Sequence, residues 1–255
     1  MQLSFGFGPG EGLDATGSRA SKLLAVLAAA RRTGFYGPQM AQWASGNPEE
    51  HLGQLTPTGV HIYLQNREQF RNPKAAGGKT RAAERRSAEA IRGSLEELLR
   101  LAARVAAGET TAPAAARRVT IRTALGERLA AERARDCLWR AFELPVFEEL
   151  VGSEGETLAA ECEAHSGFHL EDASAIFEAF YGELVVTSLK ALRYPILRLR
   201  TGWVGAIERG LCPCGERVAR FAPVALTAAP PAPARKPPAT ARAARRAADP
   251  AAAAV

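Results

Sequence analysis

The sequence contains few cysteines and no long apolar run. Four cysteines among 255 residues are too few for the disulfide framework of a small secreted domain. The longest apolar run, residues 23–30, has 8 residues, whereas a membrane-spanning helix needs about 20. Residues 1–12 have neither a positively charged start nor an apolar stretch, so no signal peptide is predicted. We therefore expect a soluble cytoplasmic protein that has no contact with a membrane.

Positive charge is concentrated near the carboxyl end. The net charge is +6, and residues 222–255 contribute five basic side chains against one acidic side chain. The same segment contains 16 alanines and 7 prolines, a composition that buries too little apolar surface to fold, so it is predicted to be disordered. No aromatic residue follows Phe221. Since aromatic side chains stack on bases, specific nucleic-acid binding is not expected.

The amino-terminal part is predicted to be mainly helical. Residues 1–18 are glycine-rich and aperiodic, which indicates a flexible segment. Residues 21–32 predict a helix capped by Ser21, and residues 60–70 predict either a short strand or a helix. Residues 80–107 predict a long helix, because their apolar positions repeat with a helical period. Gly93 is a candidate break in that helix.

A strand–helix–strand order follows. Residues 119–123 and 145–150 predict strands, and residues 127–142 predict a helix in which Cys137 is a small core residue; this order indicates a βαβ unit with a parallel strand pair. Four further runs predict a small antiparallel sheet, at residues 168–170, 175–180, 183–189 and 196–203. The predicted fold class is α/β, with an N-terminal helical region (1–78), an α/β domain (79–221) and a disordered tail (222–255).

The pattern most specific to one chemistry is a set of cysteines and histidines. Cys212 and Cys214 lie in a predicted tight turn with a proline and a glycine, and Cys162 lies 50 positions before Cys212, close to two histidines. Zinc takes four sulfur or nitrogen ligands in a tetrahedron, often from two short segments. The pattern predicts a structural zinc site formed by Cys162, His169, Cys212 and Cys214, with His165 as an alternative to His169.

Residues 77–80 (GGKT) resemble the end of a phosphate-binding loop. The complete loop needs a glycine five positions before the final Gly-Lys pair, and Pro73 occupies that position. The preceding residues 67–72 are polar, whereas this loop normally follows a buried strand. We therefore do not interpret residues 77–80 as a nucleotide site.

Five segments carry the motifs of one enzyme family in the family's order. They are residues 118–129 (RVTIRTALGERL), 145–162 (PVFEELVGSEGETLAAEC), 167–172 (GFHLED), 182–201 (GELVVTSLKALRYPILRLRT) and 212–215 (CPCG). From about residue 94 to residue 221 the chain thereby resembles the phenylacetate–CoA ligase and CoF synthetase branch of the adenylate-forming, AMP-binding enzymes. A fainter likeness covers residues 28–73.

This resemblance implies that ATP and magnesium activate a small carboxylic acid as an acyl-adenylate, which CoA then attacks in the ligases. Carried over by position, Glu154 matches the catalytic acidic residue that helps hold magnesium. Gly152 and Ser153 lie in the same loop after a predicted strand, where α/β folds bind ligands. Arg198 and Arg200 match an Arg-x-Arg pair before the ribose site. In zinc-bearing members, the four predicted zinc ligands match the metal ligands.

Three elements of the family are missing from the sequence. The Ser/Thr/Gly-rich phosphate loop is not found, Trp203 replaces the ribose-binding Asp, and the alanine/proline tail stands where the domain with the catalytic Lys would be. An indole cannot accept hydrogen bonds from ribose hydroxyls. Since this chemistry depends on positioning and charge neutralisation, we expect a ligase that is impaired or inactive alone.

Two interpretations remain open at this point. In the first, the chain is an acid–CoA ligase that works only when a protein partner or a second copy supplies the missing groups. In the second, it is a zinc-stapled structural or interaction module derived from that fold.

Overall fold

The computed structural model describes residues 18–43, 46–75 and 89–224. The predictions for residues 1–17, for the GGKT segment at 77–80 and for the tail from residue 225 onward lie outside these ranges. No helix in the described ranges is long and apolar enough to cross a membrane.

Short helices form the amino-terminal part, as predicted. They are α1 (Arg19–Ala30), α2 (Tyr36–Gln39), α3 (Pro48–Gln54), α4 (Val60–Gln65) and a 3-10 helix (Arg67–Phe70), with the short strand β1 (Thr58–Gly59) before α4. The expected cap of α1 is wrong, because Ser18 has the extended capping conformation and its hydroxyl accepts a hydrogen bond from the backbone N–H of Ser21 at 3.3 Å. Residues 60–65 form an α-helix and residues 67–70 a 3-10 helix, which decides between the two predicted alternatives.

Two successive βαβ units follow. Their elements are β2 (Ala90–Gly93), α5 (Leu95–Ala106), β3 (Arg118–Ala124), α6 (Glu132–Phe142) and β4 (Val146–Val151). The parallel pairing of β3 with β4 confirms the predicted unit. The prediction of a helix through residues 90–93 is wrong, because these residues pair in parallel with β3. Ser94 then forms a capping box with Glu97, so that α5 begins only at Leu95.

Antiparallel strands complete the sheet. They are β5 (Thr157–Glu161), β6 (Phe168–Leu170), β7 (Ala175–Phe180), β8 (Glu183–Ser188), β9 (Leu199–Glu208) and β10 (Arg220–Pro223). The strand order is β2-β3-β4-β5-β6-β10-β9-β8-β7, with β1 paired to β9 beside this path. The first half of β9 pairs with β8 and its second half with β10. The predicted antiparallel sheet is confirmed, whereas β5 and β10 were not predicted.

Two apolar clusters form the core. The larger one joins side chains of the amino-terminal helices, such as Tyr36 and Phe70, to sheet residues that include Leu150 and Phe221. The smaller one lies between the parallel strands and the helices α5 and α6. Cys137 belongs to neither cluster and is exposed, which corrects its predicted core position: α6 turns Leu138 and Phe142 inward instead. The α/β fold class is confirmed, and the domain boundaries at residues 78 and 221 stay a prediction.

Candidate functional site

The turn between β5 and β6 carries the first predicted metal ligand. The backbone N–H of Cys162 donates to the carbonyl of Gly167 at 3.3 Å, and that of His165 donates to the carbonyl of Cys162 at 2.9 Å. Gly167 has a φ of +121°, and a Cβ at this position would lie 2.5 Å from the carbonyl oxygen of Phe221. Glycine is therefore needed for the turn to pass beside β10.

A second turn, between β9 and β10, carries two more cysteines. The backbone N–H of Cys212 donates to the carbonyl of Glu216, and that of Gly215 donates to the carbonyl of Cys212, both at 2.8 Å. Gly215 has a φ of +95°, a conformation that glycine adopts without strain. These contacts close a tight turn around Cys212 and Cys214, as the sequence predicted.

The two turns bring the predicted ligand set together. The sulfur atoms of Cys162, Cys212 and Cys214 and a ring nitrogen of His169 all lie within 4.8 Å of one another. The Cys162 and Cys212 sulfurs are 3.6 Å apart, and the Cys214 sulfur is 3.5 Å from His169 Nε2. With Zn–S bonds of about 2.3 Å and Zn–N bonds of about 2.0–2.1 Å, a tetrahedron has S···S edges of about 3.8 Å and S···N edges of about 3.6 Å. The donor types and separations fit a zinc ion.

The structure also distinguishes the two candidate histidines. His165 Nδ1 contacts a carboxylate oxygen of Glu161 at 2.9 Å, and its ring stacks on Phe147 with the centroids 4.9 Å apart. His169 instead lies on β6 with Nε2 beside the Cys214 sulfur. His169 therefore belongs to the cysteine cluster, whereas His165 is held by partners outside it.

The cysteine thiols differ in acidity. Hydrogen bonding with His169, and next with Ser166, lowers the pKa of Cys212 to about 5. At Cys214 a hydrogen bond from the Glu216 backbone lowers the pKa, but burial and the neighbouring sulfurs raise it by more. Three sulfurs this close repel one another when all are ionised. Metal ligands must be deprotonated, and the positive charge of a bound cation offsets the repulsion among the thiolates.

A buried network of charged side chains adjoins this cluster, and no sequence motif pointed to it. Arg135 of α6 donates to Glu148 of β4 at 2.7 Å and to Glu161 of β5 at 2.8 Å. Glu148 is only 1% exposed and also accepts hydrogen bonds from the Thr123 hydroxyl and the Ala130 backbone N–H. Glu161 directly precedes Cys162. The network thus connects α6 to β5, the strand that ends directly before Cys162.

The predicted nucleotide loop, residues 152–156, follows β4. The Gly152 N–H donates to the Glu156 carbonyl at 2.8 Å, and the Ser153 hydroxyl donates to the Tyr194 carbonyl at 2.9 Å. Oε1 of Glu154 accepts the backbone N–H groups of Arg193 at 2.6 Å and Tyr194 at 3.0 Å. In this structure the Glu154 carboxylate fixes a neighbouring loop.

The two arginines carried over from the family form internal ion pairs. The buried Arg198 binds both carboxylate oxygens of Glu178, at 2.9 and 3.0 Å, and donates to the Leu55 and Gly53 carbonyls at 2.6 and 3.1 Å. Arg200 binds Glu183 through Nε at 2.8 Å and also through Nη2. These contacts give both guanidinium groups a role in holding the sheet together.

The sequence resemblance predicts that Trp203 stands in place of a ribose-binding Asp. Its side chain is 4% exposed, and its indole N–H donates to the Glu127 carbonyl at 2.8 Å. The residue packs in the larger apolar cluster, so this position contributes to the core.

Comparison with known proteins gives a partial likeness. No protein-family model matches the chain, and no curated protein matches it. Among solved structures it is similar to 2-hydroxyisobutyryl-CoA ligase in an open conformation with 2-HIB-AMP and CoA, at 17% identity and a TM-score of 0.43, over 52% of this chain and 32% of that chain. The postadenylation state with 2-HIB-AMP gives 18% identity and a TM-score of 0.42, over 52% and 31%.

The same ligase in complex with R3-HIB-AMP gives 16% identity and a TM-score of 0.43, over 80% of this chain and 47% of that chain. The chain thus spans less than half the length of these structures. A structural likeness this weak does not indicate an activity for this chain.

Proposed function

We propose that the chain is a zinc-stapled structural or interaction module. The observation that carries this proposal is the convergence of three cysteine sulfurs and one imidazole nitrogen within 4.8 Å, from two turns. Cys162, His169, Cys212 and Cys214 would hold the ion. Four protein ligands complete a tetrahedral zinc site, which leaves no position for a water or a substrate. The bound metal would crosslink the two turns and stabilise the folded chain.

Zinc content of the purified chain tests this proposal. We expect one zinc per chain by elemental analysis, and its loss in Cys214→Ser. Cys137→Ser is the matched control, because it removes an exposed cysteine of α6 and should keep the zinc. A wild-type chain that is folded, reduced and free of bound metal after dialysis against zinc would contradict the proposal.

The second candidate function is carboxylate activation as part of an acid–CoA ligase. Its support is the loop with Ser153 and Glu154 at the carboxyl end of β4, where α/β folds bind ligands, together with the sequence resemblance to adenylate-forming enzymes. On this proposal ATP and magnesium would bind at the loop, and a small carboxylic acid and CoA would be the substrates.

The side-chain contacts favour the zinc module over the ligase. The Glu154 carboxylate accepts hydrogen bonds from the backbone N–H groups of residues 193 and 194. Arg198 forms an ion pair with Glu178, and Arg200 forms one with Glu183. All three side chains therefore already have partners within the chain. Exchange of pyrophosphate into ATP, with a panel of aryl and short acyl carboxylic acids, separates the two functions. Zinc without exchange supports the module, whereas acid-dependent exchange by the purified chain would support the ligase.

A further inference from the structure

Two polar side chains that are not metal ligands contact the cysteine sulfurs. The Ser166 hydroxyl lies 3.3 Å from the sulfur of Cys212 and 3.5 Å from that of Cys162. Arg220 Nη1 donates to the Ser166 oxygen at 3.2 Å and to the Cys212 sulfur at 3.7 Å. Because Arg220 donates to its oxygen, the Ser166 hydroxyl is free to donate its proton to a sulfur.

Strand register directs Arg220 toward the cluster. On β10 it lies directly opposite His169 of β6 and opposite Glu208 of β9. Directly paired residues place their side chains on the same face of a sheet, so Arg220 shares a face with a predicted ligand. Glu208 binds the guanidinium through Nε at 2.8 Å and through Nη2. This contact leaves Nη1 directed at Ser166 and Cys212.

These contacts would stabilise the negative charge of a zinc-loaded cluster. Three thiolates and a neutral imidazole around Zn²⁺ leave a net charge of −1, and the side chains of Cys162 and Cys212 are buried. A buried charge is costly unless it is paired or hydrogen-bonded. The Arg220 guanidinium and the Ser166 hydroxyl supply both kinds of contact. The Glu208 side chain is 47% exposed and the Arg220 side chain is 21% exposed, so water screens the opposing charge of Glu208 more than it screens the guanidinium.

We propose that Ser166 and Arg220 are positioning residues of the metal centre, which orient the Cys212 sulfur toward the ion and stabilise its negative charge. This inference rests on the proposed zinc site and extends it to two residues that do not touch the metal. Hydrogen-bonding partners of metal ligands typically change metal affinity by about 10–100-fold when they are removed.

The test compares full-length variants by competition with a chromogenic chelator. We expect Ser166→Ala and Arg220→Met to weaken zinc binding by about 10–100-fold. Arg220→Lys keeps the charge but not the forked geometry, so it should recover part of the loss. Arg104→Met is the matched control, because Arg104 is an exposed arginine of α5, and its zinc affinity should equal that of the wild type.

The absorption spectrum of the Co²⁺-substituted chain gives a second measurement, which general destabilisation of the fold would not shift. Hydrogen bonds to a thiolate stabilise its lone pairs, so removing them should shift the sulfur-to-Co²⁺ charge-transfer band to longer wavelength in Ser166→Ala and Arg220→Met. A merely structural defect would lower cobalt occupancy and leave the band position unchanged.

Unchanged zinc affinity and band position in both variants would overturn the inference and leave the metal site standing. If Arg220→Met fails to fold, as judged by circular dichroism, Ser166→Ala and Arg220→Lys decide the matter. A wild-type chain that binds neither zinc nor cobalt would overturn the metal site itself, and this inference with it.

Discussion

The sulfur atoms of Cys162 and Cys212 are 3.6 Å apart, although 50 positions separate the two residues in the chain. The approach depends on the strand order, because β6 and β10 are neighbours and each borders one of the two turns. A metal ion bound here would fasten together two segments that are distant in sequence.

Removal of the metal should lower thermal stability. Because zinc would bind the folded chain and not the unfolded one, chelation or Cys212→Ser should lower the Tm by on the order of 10 °C, given about 4 kcal/mol of binding linkage at a thousandfold excess over Kd. Differential scanning fluorimetry with and without a chelator measures the effect. In the control Cys137→Ser, the chelator should lower the Tm as much as it does in the wild type. A wild-type Tm that does not change when chelator is added would contradict the metal site.

Breaking the buried charge network should destabilise the fold strongly. Arg135→Met leaves Glu148 buried without its ion-pair partner, and removal of one member of a buried pair typically costs about 3–5 kcal/mol. Urea unfolding at neutral pH gives the change in free energy. Arg133→Met alters an exposed position of the same helix and should change stability by less than about 0.5 kcal/mol. Equal stability of the two variants would refute a structural role for the network.

Trp203→Asp should not create a ligase. The substitution introduces the acidic residue that the sequence resemblance predicts at this position, but the sequence still holds no Ser/Thr/Gly-rich phosphate loop. Loss of a buried aromatic side chain should cost about 3–5 kcal/mol, and the backbone acceptor at Glu127 loses its indole donor. Pyrophosphate exchange and urea unfolding report the two effects, and acid-dependent exchange by this variant would contradict the argument.

Tyr36 should stay protonated in the folded state at alkaline pH. Burial raises the pKa of its hydroxyl, which also donates to the Leu197 carbonyl and accepts the Leu197 N–H, both at 3.1 Å. A raised pKa favours folding below the ordinary tyrosine pKa of about 10, and this contribution is lost as the pH rises through the raised value. Burial also raises the pKa of Tyr63, so absorbance at the tyrosinate band should show fewer than the four tyrosines titrating before the chain unfolds, with Tyr36 among those that do not titrate.

The corresponding variant, Tyr36→Phe, leaves the two Leu197 backbone groups unsatisfied and should cost about 1–3 kcal/mol. Tyr181→Phe is the matched control, because Tyr181 is 93% exposed. If both variants unfold at the same urea concentration, the buried hydroxyl contributes nothing to stability.

Local chemistry explains which features could be predicted from the sequence. A turn-forming proline and glycine beside the cysteines indicated the metal cluster, and the alternating residues 119–123 indicated β3. The choice between His165 and His169 could not be made, because it depends on Glu161 and Phe147, which hold the His165 ring in three dimensions.

Several of the errors arise from contacts between residues that are distant along the chain. Ile91 falls in the helical apolar period of α5, yet pairing with β3 makes it part of a strand. β10 is short and lies where the composition turns rich in alanine and proline, so only its pairing with β6 and β9 defines it. The contacts of Arg135 with Glu148 and Glu161 join residues 13 and 26 positions apart, beyond any helical or strand period.

The pairing of β9 with two different strands affects how this part of the sheet opens. One half of this strand is hydrogen-bonded to β8 and the other to β10, which borders the turn with Cys212 and Cys214. Amide protons at both ends of the strand should therefore exchange with solvent in a single concerted opening. Loss of the metal ion near the β10 end of the strand should then speed up amide exchange at its β8 end, where Arg200 pairs with Glu183.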